Sequence, residues 1–342
     1  MIPAQGRPKG EAPRTGAIPS ATILGVEGPT LGRDERAFLR DADPWGFILF
    51  ARNVETPSQL ARLTAALREA VGRDALVITD QEGGRVQRLR APHWTDWPAA
   101  MDSAADGARA VALRHRLMGR ELRAVGIDAD AAPCLDIADG ATHPFLRNRC
   151  FGTDAATVTA MGRAAADGLL AAGVLPIVKH MPGHGRTRVD SHHDLPVLDA
   201  ALDDLDATDF APFRALADLP LGMTAHIRLT RLDDRPATAS AAAIALIRDR
   251  IGFSGLLMSD DIGMNALTGT PAERTAAAIA AGCDVVLACN MTRAELAAVT
   301  AAAGPLVPAA ARRAAAALAR RGPPDPVDDA ALRAELAALS GG

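Results

Sequence analysis

The chain contains no tyrosine, and phenylalanine and tryptophan bring its aromatic share to only 3%. Its core must therefore come from aliphatic side chains and closely packed, alanine-rich helices. Cysteine is equally sparse. Cys134, Cys150, Cys283 and Cys289 form no CxxC pair, and three of them stand in apolar runs. They read as reduced core residues, not as a disulfide framework. No stretch approaches about 18 uninterrupted apolar residues, so no membrane span is expected. Basic residues are scattered among acids under a net charge of −4, which leaves no footprint for nucleic acid. The first nineteen residues, rich in proline and glycine, also lack the apolar core of a secretory leader. They predict a flexible tail over 1–19 and a cytoplasmic protein.

What is present is a length of 342 residues with 49% hydrophobic side chains. That suits one large α/β domain. Short apolar runs bounded by turn residues predict eight strands: 21–26, 46–50, 76–80, 127–134, 175–180, 220–226, 255–260 and 283–289. Helical stretches lie between most of them, such as 56–72, 154–173, 240–252 and 271–282, with Thr56, Asp154 and Ser240 as N-caps. Strands that alternate with helices and are apolar on both faces imply a parallel sheet. An open doubly wound sheet shares this local pattern, but eight repeats favour a (β/α)8 TIM-type barrel. Two further helical stretches, 292–320 and 328–339, broken by RGPPDP, follow as C-terminal packing helices. A single barrel domain over 20–342 is expected.

Polar residues gather where the strands end: Asp80, Asp136, Lys179 with His180, His226, Asp260 and Asn290. In a barrel those ends form the catalytic mouth. In GLLMSDDIGM (255–264) an apolar strand runs into Asp260 and Asp261, whose side chains must diverge. One can enter a pocket while the other supports a helix N-terminus or a cation, although both could be helix-capping acids. In LVITDQEGGRVQRLR (76–90), Gly83 and Gly84 permit a tight turn between Asp80 and the arginines Arg85 and Arg88. An acid and an arginine so placed suit sugar hydroxyls or an acyl oxygen, or form an ion pair that pins the loop.

The segment GHGRTRVDSHHDLP (183–196) holds three of the eight histidines, and His180 stands just before it. Asp190 lies two residues before His192, close enough to fix the imidazole's tautomer and favour its charged form. Such an imidazole is a good proton donor near neutral pH. His180, His184, His192 and His193 could instead ligate zinc, but the HExxH spacing is absent and glycines and proline loosen the segment. A purely structural loop is the third alternative.

Taken together, these motifs closely resemble glycoside hydrolase family 3 β-N-acetylglucosaminidases, and in particular its short, single-domain bacterial enzymes of peptidoglycan recycling. GFILFARN (46–53), DQEGGRVQRLR (80–90), APCLDI (132–137), KHMPGHGRTRVDSH (179–192), GFSGLLMSDDIGM (252–264) and AGCDVVLACN (281–290) occur in the family's order. The resemblance implies that Asp260 is the nucleophile and that His192, paired with Asp190, is the acid/base. By the same matching Asp80, Arg88, Arg149, Lys179 and His180 would hold the N-acetylglucosamine ring. NRCFG (148–152) keeps the family's arginine-serine-aromatic pattern only in part, and Met181 replaces the usual phenylalanine or isoleucine.

The implied reaction is retaining hydrolysis through a covalent glycosyl-enzyme. A neutral imidazole in place of a second carboxylate repels an incoming anion less, so phosphate could compete with water. The implied substrate is N-acetylglucosamine linked β-1,4 to 1,6-anhydro-N-acetylmuramic acid, with or without peptide. No cofactor and no metal are expected. The partner is a small amino-sugar substrate, with no nucleic acid or membrane, and the protein is expected to be a monomer unless the alanine-rich helices pack between subunits. A metallohydrolase, a catalytically dead sugar-binding barrel and a family member of other sugar specificity are the rival readings.

Overall fold

The computed structural model describes residues 18–188 and 194–340. The expected tail therefore falls almost wholly outside the described residues, as do Asp190, His192 and His193. Eight parallel strands close into a barrel: Ser20–Gly25, Pro44–Leu49, Leu76–Thr79, Ala129–Asp130, Leu175–Met181, Leu221–Thr224, Leu256–Asp261 and Val285–Ala288. Spatial neighbours are also sequence neighbours, and the eighth strand pairs with the first. All eight expected strands are present, with their ends shifted by a few residues.

The barrel forms because each strand is apolar on both faces, filling the interior with one set of side chains and docking helices with the other. Phe47, Ile23, Ile48 and Leu49 are all buried. Closure depends on Gly25. A Cβ there would stand 2.1 Å from the carbonyl oxygen of Cys289, at the seam between first and eighth strands.

Thr56, Asp154 and Ser240 cap their helices as expected, accepting from the backbone N–H groups of Gln59 (3.3 Å), Thr157 (2.9 Å) and Ser240's third successor, Ala243 (3.0 Å). Each such cap is worth about 1 kcal/mol. Three expectations change. The fourth strand shrinks to Ala129–Asp130 because Pro133 has no N–H for the ladder, leaving only a bridge between Cys134 and Lys179. The 240–252 helix becomes an α-turn, Ala241–Ala245, followed by a π-helical turn, Leu246–Arg250.

The 292–320 stretch is two helices, Arg293–Ala303 and Pro308–Ala319. Gly304, at φ 63°, and Pro305 break it, and Pro305 bridges back to Ser20. The last helix, Asp329–Ser340, lies against the helix Gly107–Ala124 through Arg109–Glu335 and Arg333–Glu121 ion pairs. No helix among the described residues is long and apolar enough to cross a membrane.

The two barrel ends carry different chemistry. Before the fourth and eighth strands, Asp128 and Asp284 are clamped by arginines: Arg123 at 2.6 Å, and Arg248 and Arg313 at 2.8 Å. Those pairs hold the scaffold together. At the other end the charged groups converge on a cavity.

Candidate active site

A cavity of about 390 Å³ opens at the C-terminal ends of the strands. Asp80, Arg88, Arg149, Lys179, His180 and Asp260 all line it. The structure thus brings together every described residue that the family resemblance nominates.

Five of the charged groups form one network. After the third strand, Gln81–Gly83 and Val86–Gln87 form a small antiparallel hairpin, turned by Gly83 (φ 96°) and Gly84 (φ 58°). Residues two apart on an extended segment share a face, so Asp80 and Glu82 point the same way. Lys179, only 2% exposed, reaches both: its Nζ is 3.1 Å from Asp80 Oδ1 and 2.5 Å from Glu82 Oε1. Arg88 donates to Asp80 Oδ2 at 2.9 Å. Arg149 grips Glu82 with two hydrogen bonds, at 2.9 and 2.8 Å.

Burial alone would push both carboxyls up, but the cations outweigh it. Lys179 and Arg88 hold Asp80 well below the usual carboxylate range, and Arg149 and Lys179 bring Glu82 down to about 2. Lys179 is raised, because Glu82 and Asp80 overcome the burial that would lower it. Asp80, Glu82, Lys179 and Arg149 are thus ionised at neutral pH.

His180 is oriented by a second acid. Its Nδ1 is 2.6 Å from Oδ2 of Asp136, which is 1% exposed. Asp136 Oδ1 accepts the backbone N–H of His184 at 2.6 Å. Burial works against the charge on Asp136, yet His180 and His184 bring its carboxyl down to about 2. The Lys179–His180 peptide is cis. With Nδ1 committed to Asp136, the other ring nitrogen of His180 faces Arg149, at 3.4 Å.

Asp260 and Asp261 diverge as expected. Asp261 Oδ1 accepts from the backbone N–H groups of Gly263 (3.0 Å) and Cys289 (3.2 Å), so it braces a turn and the eighth strand's end and caps no helix. Asp260 keeps one backbone hydrogen bond, from the N–H of Asp261 at 2.8 Å. Burial raises the Asp260 carboxyl, but His180 and His226 lower it more, so it lies below its ordinary value. Asp261 is raised by burial. The acid with the lowered pKa is the one the family resemblance nominates as nucleophile.

Three contributors were given no catalytic or sugar-binding role by the sequence. Glu82 was signalled only by its two-residue spacing from Asp80. Asp136 was visible as a strand-end acid, and its partner His180 is 44 residues away. His184, 6% exposed, lines the same cavity, its ring 5.7 Å from that of His180. His226 and Asn290 stand at the mouth as expected, and both are occupied: His226 bonds Thr238 Oγ1 (2.8 Å) and the carbonyl of Asp261 (2.9 Å), while Asn290 accepts from Arg52. Of the four histidines that could ligate zinc, His180 and His184 reach the cavity. Among the described residues, Cys134, Asp136 and His180 bring ligand-type atoms within 4.8 Å of one another. Hydrogen bonds already join them, Cys134 Sγ donating to Asp136 Oδ2 at 3.3 Å. All four cysteines are buried free thiols.

A closed (β/α)8 barrel with ionised acids and paired cations around a cavity at the C-terminal strand ends fits a glycosidase. The chain belongs to glycosyl hydrolase family 3: the model of that family's N-terminal domain matches residues 22–317. It is 38% identical over 284 residues to the beta-hexosaminidase of Bordetella parapertussis, covering 80% of each chain. Over 280 residues it is 40% identical to that of Alkalilimnicola ehrlichii, covering 78% of this chain and 80% of the other.

Among solved structures it is similar to NagZ from Neisseria gonorrhoeae in complex with N-trifluoroacetyl-D-glucosamine, at 29% identity and a TM-score of 0.84, covering 94% of this chain and 98% of that one. It is also similar to a family 3 β-N-acetylglucosaminidase from Paenibacillus sp., at 30% identity and a TM-score of 0.85, covering 94% of this chain and 67% of that one. The chain is a β-N-acetylhexosaminidase of that family.

Proposed function

We propose that the chain is a retaining exo-β-N-acetylglucosaminidase whose nucleophile is Asp260 and whose acid/base is His192, paired with Asp190. One observation carries this: Asp260, with its carboxyl pulled below the ordinary range, ends the seventh strand in the same cavity as the Asp80–Arg88–Lys179 network. Asp80, Arg88, Arg149, Lys179 and His180 hold the sugar through its hydroxyls. Because their charges are paired and their positions fixed, binding costs little reorganisation.

The Asp260 carboxylate attacks the anomeric carbon while the His192 imidazolium gives its proton to the leaving oxygen; the neutral imidazole then takes a proton from water as the glycosyl–Asp260 ester is cleaved. Two inversions leave the configuration retained. The substrate is N-acetylglucosamine β-1,4-linked to 1,6-anhydro-N-acetylmuramic acid, with or without peptide, handled in the cytoplasm during peptidoglycan recycling by a monomer whose residues 20–342 form one catalytic barrel.

Incubation with a 5-fluoro N-acetylglucosaminyl inactivator followed by peptide mass spectrometry tests the central assignment. The label should sit on the peptide holding Asp260. Label on Asp261, or inactivation without a covalent adduct, would overturn it.

A further inference from the structure

Gln81 is fully buried and does not line the catalytic cavity. It stands between Asp80 and Glu82, and on an extended segment its side chain points away from theirs. Its carboxamide is fully engaged with the backbone of the far side of the hairpin. Oε1 accepts the N–H groups of Arg88 (2.9 Å) and Leu89 (3.0 Å), and Nε2 donates to the carbonyl of Leu89 (2.9 Å). The paired strand Val86–Gln87 has already ended there, so these groups lie beyond its ladder. A carboxamide carries the donor and acceptor of a peptide group, and here it continues the hairpin past its last strand residue. The backbone of Gln81 is anchored to the barrel in turn, its N–H donating to Asp130 Oδ1 at 2.9 Å where the fourth strand ends.

Arg88 carries that continuation into the cavity. Among the described residues, its guanidinium hydrogen-bonds one side chain, Asp80 at 2.9 Å, and its Cζ stands 5.4 Å from the centre of the Phe50 ring. The Arg88 Nε is buried without a partner. A long side chain held at its tip by one hydrogen bond takes its aim from its backbone. That backbone hangs on Gln81.

We propose that Gln81 is a positioning residue for sugar capture: its carboxamide fixes the backbone of Arg88 and thereby the aim of the guanidinium at the sugar's hydroxyls. A displacement of about 1 Å at such a group is enough to weaken its hold. The inference rests on the proposed role of Arg88 in holding the sugar.

Steady-state kinetics on 4-nitrophenyl N-acetyl-β-glucosaminide test it, with Gln81→Met and Gln81→Glu each made alone and in an Arg88→Ala background. Gln81→Met keeps the side chain's length and removes all of its hydrogen bonds, whereas Gln81→Glu keeps both accepted bonds and loses the donated one. With Arg88 present, Gln81→Met should raise KM by about 10-fold and change kcat by less than about 3-fold, and Gln81→Glu should recover part of the loss. With Arg88 replaced, neither change should move KM by more than about 2-fold, because residues that act through one group are not additive. A KM rise of the same factor in both backgrounds, a fall in kcat at constant KM, or no effect of Gln81→Met would overturn the inference. Should Gln81→Met not fold, Gln81→Glu decides. A KM about 3-fold above wild type that returns to the background value without Arg88 supports the proposal, and an unchanged KM or a rise independent of Arg88 overturns it. An Arg88→Ala variant with the KM of the wild type would instead sink the sugar-holding role on which the proposal rests.

Discussion

His180 Nδ1 lies 2.6 Å from Asp136 Oδ2, while the other oxygen of the same carboxylate holds the backbone of His184 at the same distance. One acid thereby fixes both histidines against the cavity. Asp136→Ala should lower kcat/KM by at least about 10-fold, chiefly through KM, because His180 loses its orientation. Asp136→Asn, which keeps an acceptor, should do less harm. Its carboxyl is held down to about 2, so the acid's contribution is present above the ordinary pKa and lost as pH falls from there toward 2. The activity difference between wild type and Asp136→Asn should therefore be flat from pH 5 to 8, as rate profiles would show.

Glu82 binds Arg149 and Lys179 in a buried setting, at 2.8 and 2.5 Å. Glu82→Ala leaves buried Arg149 without its counter-charge and Lys179 with Asp80 alone, and should cost about 3–5 kcal/mol in urea denaturation. Activity should also fall, since both cations line the cavity. A loss of stability below about 1 kcal/mol would contradict this role.

His115 and His184 are buried, and desolvation lowers both to about 4. In the unfolded chain they titrate near 6.5. The unfolded state therefore binds more protons between about pH 4 and 6.5, and stability must rise with pH across that window. Each histidine should contribute a slope of up to about 1.4 kcal/mol per pH unit. His115→Gln, remote from the cavity, should flatten the urea-derived stability curve there while leaving sugar hydrolysis intact.

Asp130 ends the short fourth strand, fully buried, with Oδ1 accepting the backbone N–H of Gln81 at 2.9 Å. Burial raises its pKa well above the ordinary value. Its stabilisation is full below the unfolded pKa and fades as pH rises through the folded one. Asp130→Asn keeps the acceptor without that penalty. Its melting temperature should match or exceed that of the wild type at pH 8 and lose the advantage at pH 4.

The barrel was legible because its strands are apolar on both faces, a pattern visible one strand at a time, and because helix caps such as Thr56 and Asp154 act locally. The Gly304–Pro305 break lay in plain sight, but the alanine-rich periodicity on either side runs through it. The site was readable as a set of strand-end residues. Its wiring was not: Glu82 and Arg149 are 67 positions apart, and only the closed sheet, by placing the third strand beside the fourth and the fourth beside the fifth, sets them beside Lys179. The proton-donating pair assigned to Asp190 and His192 lies outside the described residues.

The acidic and basic side chains at the cavity, finally, balance once Glu82 behind Arg149 is included: Asp80, Glu82, Asp260 and Asp261 stand against Arg85, Arg88, Lys179 and Arg149. An uncharged hexoside entering such a pocket neither recruits nor releases small ions, and there is little net field for dissolved salt to screen. Turnover of a neutral substrate should thus change little between dilute buffer and molar sodium chloride, so that any strong ionic-strength dependence seen with a natural substrate would report on the charge carried by its departing half.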